Sequence, residues 1–416
     1  MPMDETRVCV YMCTDSAPAL MGYLYGNQSR GKELFSFEYD ISWIESTLAS
    51  FVFDPDLALY QGRQYTPLDK GLFGIFSDSC PDRWGRLLMQ RREAHLARKD
   101  GRKPRTLSES DFLLGVYDET RMGALRFSLE EGGPFVSFDK TLAAPPWIAL
   151  RTLEEASHAF EADDVKNEAV WLELLLAPGS SLGGARPKAS VYAPDDSLWI
   201  AKFPSKHDEW DSGAWEMVIH DLAKKCRLDV PAAKLETFTN AGHTFIVKRF
   251  DRNGNHRIHF ASAMTLLGQV DGEKAAGYLD MAAFIRANGA SPKKDLRELW
   301  RRIVFNMAVS NIDDHLRNHG FILTNTGWSL SPLYDVNPSI HGDSLSINVS
   351  EHERLISFDL AIETAPYYDI DTSEAQIMVE EINSIIQENW RSFAANYALS
   401  KNAISRMEPA FAKDFK

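Results

Sequence analysis

A strongly apolar helix that is followed in the sequence by two polar loops constrains the fold of this chain more than any other feature. Residues 296–308 repeat Leu, Trp, Ile, Val and Met at i, i+3, i+4 and i+7 spacing, which predicts a buried helix. The sequence NIDDHLRN follows at once, and LYDVNP follows after a predicted hairpin. Because a buried helix is rigid, we expect it to hold Asp313 and Asn318 of the first loop on a fixed base.

The carboxylate and amide groups of these loops predict phosphoryl transfer from ATP. Asp313 and Asn318 have the D-x₄-N spacing of a kinase catalytic loop, and Asp335 lies where a second metal-binding acid is expected. Asp313 is the candidate to receive the proton of an acceptor hydroxyl. Asn318 and Asp335 are the candidates to bind Mg²⁺, which prefers hard oxygen ligands. His315 is expected to orient the loop, to pack, or to contact ATP.

An alternative interpretation of Asp313, Asp314 and His315 is a metal-hydrolase centre. Such a centre would need further clusters of His or Asp ligands, and none stands out in the sequence. The cysteines show no metal-binding or disulfide spacing either, so they are predicted to be buried free thiols. They are Cys9, Cys13, Cys80 and Cys226.

A glycine-rich segment upstream, GSSLGGARPK at 179–188, is the candidate cradle for the phosphates. Adjacent glycines let backbone N–H groups turn toward an anion without Cβ clashes. An ordinary turn is the alternative. The candidate ATP-binding residues of this segment are Ser181, Gly183, Gly184 and Ala185.

A lysine lies in the middle of the predicted strand LWIAKF that follows. Lys202 has apolar neighbours, and a lysine in such a strand needs a partner or an anion. Glu216 opens the next predicted helix and is the candidate partner, as in protein kinases. The alternative is an edge-strand lysine whose ammonium group lies in water.

The segment VKRFDR at 247–252 is the candidate hinge for the nucleotide. Its backbone around Lys248 and Phe250 could bond to adenine, and Asp251 could accept a hydrogen bond from the ribose. An equally good interpretation is a surface ion-pair network among the charged side chains of this segment.

The charge balance argues against non-specific nucleic-acid binding. The chain has 45 Lys and Arg against 59 Asp and Glu, a net charge of −14, whereas neutralising phosphates needs a basic face. The basic stretch 91–105 is interpreted as a solvated helix end and loop, with a partner-binding patch as the alternative. No apolar run approaches a membrane span and the N-terminus lacks the pattern of a signal peptide, so a cytoplasmic protein with no membrane contact is expected.

The 416 residues are more than one core usually holds, so several units are predicted. A β-rich region is expected at 1–145. An ATP-binding portion with the glycine-rich loop is expected at 146–255, and a helical lobe with the catalytic and metal-binding loops at 256–416. The fold class is α+β.

The motif series SLGGARPK, WIAKF, VKRFDR, NIDDHLRN and LSPLYDVNP resembles that of the HipA-type Ser/Thr protein kinases. These are toxins of type II toxin–antitoxin systems. The segments GYLYGN, FSFEYDISW and FSDSCPDRWGRLL also resemble the small β-rich subdomain of that family. The likeness therefore covers nearly the whole chain.

The resemblance implies a bilobal, protein-kinase-like fold with an extra N-terminal β-rich subdomain and a mostly helical C-terminal lobe. It implies that Lys202 contacts the ATP phosphates, that Asp313 is the base, and that Asn318 and Asp335 bind Mg²⁺. Ser181 would be the autophosphorylated serine whose modification ejects the loop. The family acts on aminoacyl-tRNA synthetases and is restrained by a DNA-binding antitoxin.

Two positions depart from the family pattern. Arg186-Pro187 stiffens the exit of the glycine-rich loop, and Asp314 adds an acid next to the base. Neither change removes a required group. A small-molecule kinase of the sugar or aminoglycoside type, or an inactive kinase fold that serves as a scaffold, remain the alternative functions, and the substrate and oligomeric state are left open.

Overall fold

The computed structural model describes residues 5–14, 17–29, 32–137, 144–163, 167–176, 184, 186–272 and 276–411. The chain forms two compact units. Unit 1 comprises Met1–Lys206 and Lys248–Ala261, and unit 2 comprises His207–Val247 and Ser262–Lys416. The division into three regions expected from the sequence stays a prediction, whereas the expected α+β class is confirmed.

Unit 1 begins with the predicted β-rich region. Its strands are β1 (Thr6–Met12), β2 (Ala19–Ser29), β3 (Lys32–Tyr39), β4 (Gln64–Tyr65) and β5 (Leu125–Ser128). They form one antiparallel sheet in the order β4-β3-β2-β1-β5. The side chains of Val10, Phe37 and Phe127 are completely buried on this sheet. The four cysteines are buried free thiols, as predicted.

Unit 1 also contains helices and two further hairpins. The helices are α1 (Ile41–Ile44), α2 (Gly74–Ser77), α3 (Arg83–Lys99), α4 (Glu109–Gly115), α5 (Leu150–Glu161) and α6 (Glu168–Leu176). The strands β6 (Lys188–Tyr192) and β7 (Leu198–Lys202) form a hairpin after the glycine-rich segment, and β7 is the predicted strand LWIAKF. The other hairpin pairs β10 (Arg252–Asn253) with β11 (His256–Arg257). A short strand, β12 (Phe260–Ser262), spans the point in the sequence where unit 1 gives way to unit 2.

The start of α3 shows why the chain turns into a helix at this point. The side chain of Asp82 accepts a hydrogen bond from the backbone N–H of Gly85 at 2.7 Å and thereby caps the helix. Pro81 precedes the cap and does not enter the helix. The helix then continues to Lys99.

Unit 2 is mostly helical. Its helices are α7 (Ser212–Lys225), α8 (Ala263–Leu266), α9 (Tyr278–Asn288), α10 (Pro292–Ala308), α11 (Phe358–Thr364), α12 (Thr372–Asn396) and α13 (Lys401–Phe411). Its hairpins are β8 (Ala233–Glu236) with β9 (Thr244–Lys248), and β13 (Gly320–Thr324) with β14 (Gly327–Leu330). Within the described ranges, no helix is long and apolar enough to cross a membrane.

Helix α10 is the predicted buried helix. Leu296, Leu299 and Trp300 have no exposed surface, and the same is true of Ile303. The indole N–H of Trp300 donates to the carbonyl of Ala361 at 2.9 Å, so the buried ring also satisfies its polar atom. This helix forms the rigid base expected for the polar loop that follows it.

The basic stretch 91–105 is largely neutralised by carboxylates of the same unit. Four of its arginines form ion pairs: Arg91 with Asp163, Arg98 with Glu168, Arg102 with Glu93, and Arg105 with Asp111. Because most of these groups are partly exposed, such pairs contribute little stability. The arrangement agrees with the interpretation as a solvated helix end rather than with a patch of unopposed positive charge.

Candidate active site

The chain that leaves α10 is held in place by several hydrogen bonds. Asn311 donates from its backbone N–H to the carbonyl of Asn306 at 2.8 Å and from its side chain to the Asn306 side-chain oxygen at 3.1 Å. The hydroxyl of Ser310 donates to the carbonyl of Ala410 at 2.7 Å, which ties the loop to α13. The start of the loop is therefore anchored at both its backbone and its side chains.

The two adjacent acids of this loop lie in opposite environments. The side chain of Asp313 is 80% exposed, and one of its oxygens lies 3.8 Å from His315 Nε2. Asp314 is buried, and its carboxylate accepts hydrogen bonds from the hydroxyl of Tyr278 at 2.5 Å and from the backbone N–H of Ser346 at 2.7 Å. Burial raises the pKa of Asp314 to about 6. Asp313 is thus the acid that an acceptor can reach, and Asp314 supports the loop.

The loops that contain Asn318 and Asp335 lie side by side. The hydroxyl of Tyr334, the residue before Asp335, donates to the carbonyl of Arg317, the residue before Asn318, at 2.7 Å. The side-chain N–H of Asn318 donates to the carbonyl of Asp313 at 2.8 Å. These bonds join the two loops that carry the three residues of the sequence motif.

The donor set at this place fits a magnesium ion. The amide nitrogen of Asn318 is used by Asp313, which leaves its Oδ1 as the atom for a cation, and Asp335 supplies a carboxylate. Mg²⁺ in kinases takes one or two such side chains and completes its shell with phosphate and water oxygens. Across the described part of the chain, no three His, Cys, Asp or Glu side chains lie close enough to hold a metal, as a hydrolase centre would need.

Asp335 adopts a left-handed backbone conformation, with φ of 58°. Such a φ is uncommon for residues other than glycine, although Asp tolerates it better than most. Backbone strain of this kind concentrates at functional sites and persists only where the surrounding structure enforces it. Here the preceding residue, Tyr334, is anchored on the neighbouring loop by its hydroxyl, and this anchor helps to hold the conformation of Asp335.

The glycine-rich segment is described only in part. Ser181, Gly183 and Ala185 lie outside the described residues. Gly184 has φ of +97°, a left-handed conformation that L side chains rarely adopt. Its carbonyl accepts hydrogen bonds from the backbone N–H of Trp84 at 3.3 Å and from the ammonium group of Lys188 at 3.2 Å.

A buried ion pair at the end of this segment was missed by the sequence reasoning. Lys188 Nζ lies 2.8 Å from a carboxylate oxygen of Asp82, and the side chains are 2% and 3% exposed. The indole N–H of Trp84 donates to the carbonyl of Lys188 at 3.0 Å. Asp82, the cap of α3, and Trp84 thus hold both ends of the short segment 184–188. The lysine in GARPK and the acid in PDRWG were visible signals, but they are 106 residues apart.

We expect Asp82→Asn to lower the free energy of unfolding of unit 1 by about 2 kcal/mol, because the buried ammonium of Lys188 loses its counter-charge but keeps its hydrogen bond to the carbonyl of Gly184. Asn caps a helix about as well as Asp, so the cap of α3 is kept. Thermal denaturation measures the change. The double variant Asp82→Asn/Lys188→Met should recover part of the loss. Equal stability of the single variant and the unmodified chain would contradict a role for the pair.

The strand lysine and its candidate partner belong to different units. Lys202 is half-buried at the end of β7, directly opposite Lys188 of β6. Glu216 is buried in α7. Their expected ion pair stays a prediction.

The candidate hinge contains a buried ion-pair network, not one at the surface. Asp251 is 0% exposed. Its carboxylate accepts hydrogen bonds from Arg249 at 2.6 and 2.8 Å, from Arg252 at 2.5 Å and from the backbone N–H of Gly123 at 2.8 Å. Burial alone would raise the pKa of Asp251, but Arg249 and Arg252 hold it well below its usual range.

This geometry corrects the expectation that the charged residues form a surface network. It also leaves Asp251 without exposed surface to offer a ribose hydroxyl, so the side chain supports the fold of unit 1. In the sequence Lys248, at the end of β9, precedes Arg249, and Phe250 lies between Arg249 and Asp251. Their proposed backbone contacts with adenine, and the contact of His315 with ATP, stay predictions.

Comparison with known proteins identifies relatives of this chain. The sequence profile of the family described as HipA-like C-terminal domain matches residues 180–400. A Haemophilus influenzae protein named "Putative kinase" is 25% identical over 249 residues, which cover 54% of this chain and 69% of that protein. "Putative kinase Y4mE" of Sinorhizobium fredii is 29% identical over 158 residues, covering 35% of this chain and 36% of that protein.

Among solved structures, the chain is similar to the HipA toxin of Shewanella oneidensis, determined in complex with HipB and its operator DNA. The TM-score is 0.61, and the match covers 96% of each chain at 15% sequence identity. At that identity the likeness concerns the fold.

Proposed function

Because the chain belongs to the family of proteins with a HipA-like C-terminal domain, we propose that it is an ATP- and Mg²⁺-dependent kinase that phosphorylates a Ser or Thr hydroxyl of a protein. The observation that carries the proposal is the arrangement of Asp313, Asn318 and Asp335 on two loops joined by the hydrogen bond between Tyr334 and Arg317. An exposed acid beside two oxygen ligands is what phosphoryl transfer requires.

The residues of unit 2 would divide the chemistry as follows. ATP supplies the phosphoryl group and Mg²⁺ offsets its charge. Asn318 Oδ1 and the carboxylate of Asp335 would hold the metal. The acceptor hydroxyl loses its proton to Asp313 while its oxygen bonds to the γ-phosphorus, and the bond to the bridging oxygen breaks, which releases ADP.

The residues of unit 1 would bind and position the phosphates. Lys202 is the proposed cation on the phosphates, with Glu216 of unit 2 as its partner. The glycine-rich segment would bind phosphate oxygens through its backbone N–H groups. Lys188 and Asp82 would hold the exit of that segment in a fixed conformation.

The proposal extends to regulation and partners. Ser181 would be autophosphorylated, and its added charge would repel the nucleotide from the neighbouring loop. The protein acceptor would be a translation component such as an aminoacyl-tRNA synthetase. A DNA-binding antitoxin would be the partner, as HipB accompanies the Shewanella toxin.

Intact-mass measurement after incubation with Mg-ATP tests the proposal. We expect the chain to gain one phosphate, which peptide mapping places on Ser181. Asp335→Asn should abolish the gain, and so should EDTA added to the unmodified chain. Ser181→Ala should remove only the phosphate that maps to residue 181. If the unmodified chain gains no phosphate while it still binds ATP, a small-molecule acceptor or a scaffold function replaces the protein-kinase proposal.

A further inference from the structure

A cavity of about 400 Å³ lies beside the catalytic loop of unit 2. Ile312 and His315 line it, and these residues flank the exposed acid Asp313 in the sequence. The loop that carries this acid therefore forms part of the cavity wall. The role of this cavity rests on the proposed kinase function.

The walls of the cavity are mainly apolar. The apolar side chains are those of Met264, Val270, Ile312, Leu316, Leu345 and Ile347. Burying a Leu-sized or Ile-sized side chain against such walls removes apolar surface from water and is favourable. The lining therefore offers an aliphatic side chain a favourable contact.

The far wall of the cavity is bonded directly to the catalytic loop. The backbone N–H of Ser346 donates to Asp314, and its hydroxyl donates to the carbonyl of Ile312 at 2.6 Å. The backbone N–H of Leu345 donates to the carbonyl of Arg354 at 2.7 Å. These bonds fix the cavity walls against the backbone of the loop that carries Asp313, as a site that positions an acceptor requires.

The rim carries an excess of positive charge. Two arginines line the cavity, Arg317 and Arg354, against one carboxylate, that of Asp271, which lies 3.7 Å from Arg317. Glu351 and Glu353 are neighbours of Arg354 in the sequence but do not line the cavity. In a chain of net charge −14, this local excess is complementary to an acidic group.

We propose that this cavity binds the acceptor protein. It would seat an aliphatic side chain close in sequence to the phosphorylated Ser or Thr, and Arg354 would pair with an acidic residue beside that side chain. The cavity would then select the acceptor, whereas Asp313 performs the proton transfer.

Phosphosite mapping in a phosphatase-treated bacterial lysate, incubated with the chain and Mg-ATP, tests this assignment. With the unmodified chain we expect mapped sites to carry an aliphatic residue and an Asp or Glu nearby. Arg354→Glu should lower their labelling about tenfold while ATP affinity stays unchanged. Arg354→Lys should retain most labelling. Arg406→Glu makes the same charge change on α13, where the residue is exposed and does not line the cavity, and should have no effect.

A charge swap completes the test. An acceptor protein identified in this way is produced with the acidic residue near its phosphosite replaced by Lys. The Arg354→Glu variant of the kinase should label this altered acceptor again. Equal labelling by Arg354→Glu and the unmodified chain, or sites without a common aliphatic and acidic pattern, would overturn the cavity assignment and leave the kinase proposal intact. If the unmodified chain labels no protein, the proposed function fails, and the cavity assignment fails with it.

Discussion

Asp313→Asn is expected to slow phosphoryl transfer about 10²–10⁴-fold, the usual contribution of a positioned general base. The amide accepts no proton from the acceptor hydroxyl at neutral pH. ATP affinity should change little, because Asn318 is held by the backbone carbonyl of Asp313 and not by its side chain. Autophosphorylation rates measure the first quantity, and calorimetric titration with Mg-ATP measures the second.

Asp359→Asn provides the matched control for this experiment. Asp359 is an exposed acid in the first turn of α11, so its replacement removes one carboxylate from unit 2 without touching either polar loop. It should leave the transfer rate unchanged. A normal rate for Asp313→Asn would show that another group receives the proton, and the role of the D-x₄-N loop would have to be reassigned.

Asp251→Asn is expected to lower the free energy of unfolding of unit 1 by about 3–5 kcal/mol, the range for breaking a buried ion pair from one side. The variant leaves the guanidinium of Arg249 buried beside a neutral amide. Since the pKa of Asp251 is depressed in the folded chain, its contribution is present at neutral pH and is lost as the pH falls below the usual value of 3.8. Urea denaturation at several pH values measures both effects.

The control is Asp100→Asn, which removes an exposed carboxylate 3.4 Å from Arg102 in the same unit. A surface pair of this kind contributes about 0–1 kcal/mol, so the denaturation midpoint should hardly move. If Asp251→Asn instead leaves the stability unchanged and raises the KM for ATP, this carboxylate binds the nucleotide and the buried network is dispensable.

The elements around the site were predictable because their signals are local. The apolar periodicity of 296–308 predicted α10, and the sequence also predicted the strand β7 and the hairpin β13–β14 between the two polar loops. The spacing between Asp313 and Asn318 singled out the catalytic loop. Each of these inferences uses residues within a few positions of one another, where backbone geometry translates sequence directly into structure.

The environment of each charged group could not be predicted in this way. Asp313 and Asp314 are neighbours of the same type, yet one is 80% exposed and the other is buried against Tyr278. Asp251 fitted a ribose contact and a surface network equally well, and it proved to be buried. Burial depends on what packs against a side chain, and that is decided by segments far away in the sequence.

The sequence by itself determined the family, the α+β class and the order of the polar motifs, because these follow from local patterns and residue types. Only the tertiary structure decided that Asp82 pairs with Lys188, 106 residues away, and that Gly123 donates to Asp251, 128 residues away. It also created the cavity lined by Ile312 and His315 from separate segments of unit 2. Contacts of this kind form when distant segments are packed together, and their free energies are not encoded in any short stretch of the chain.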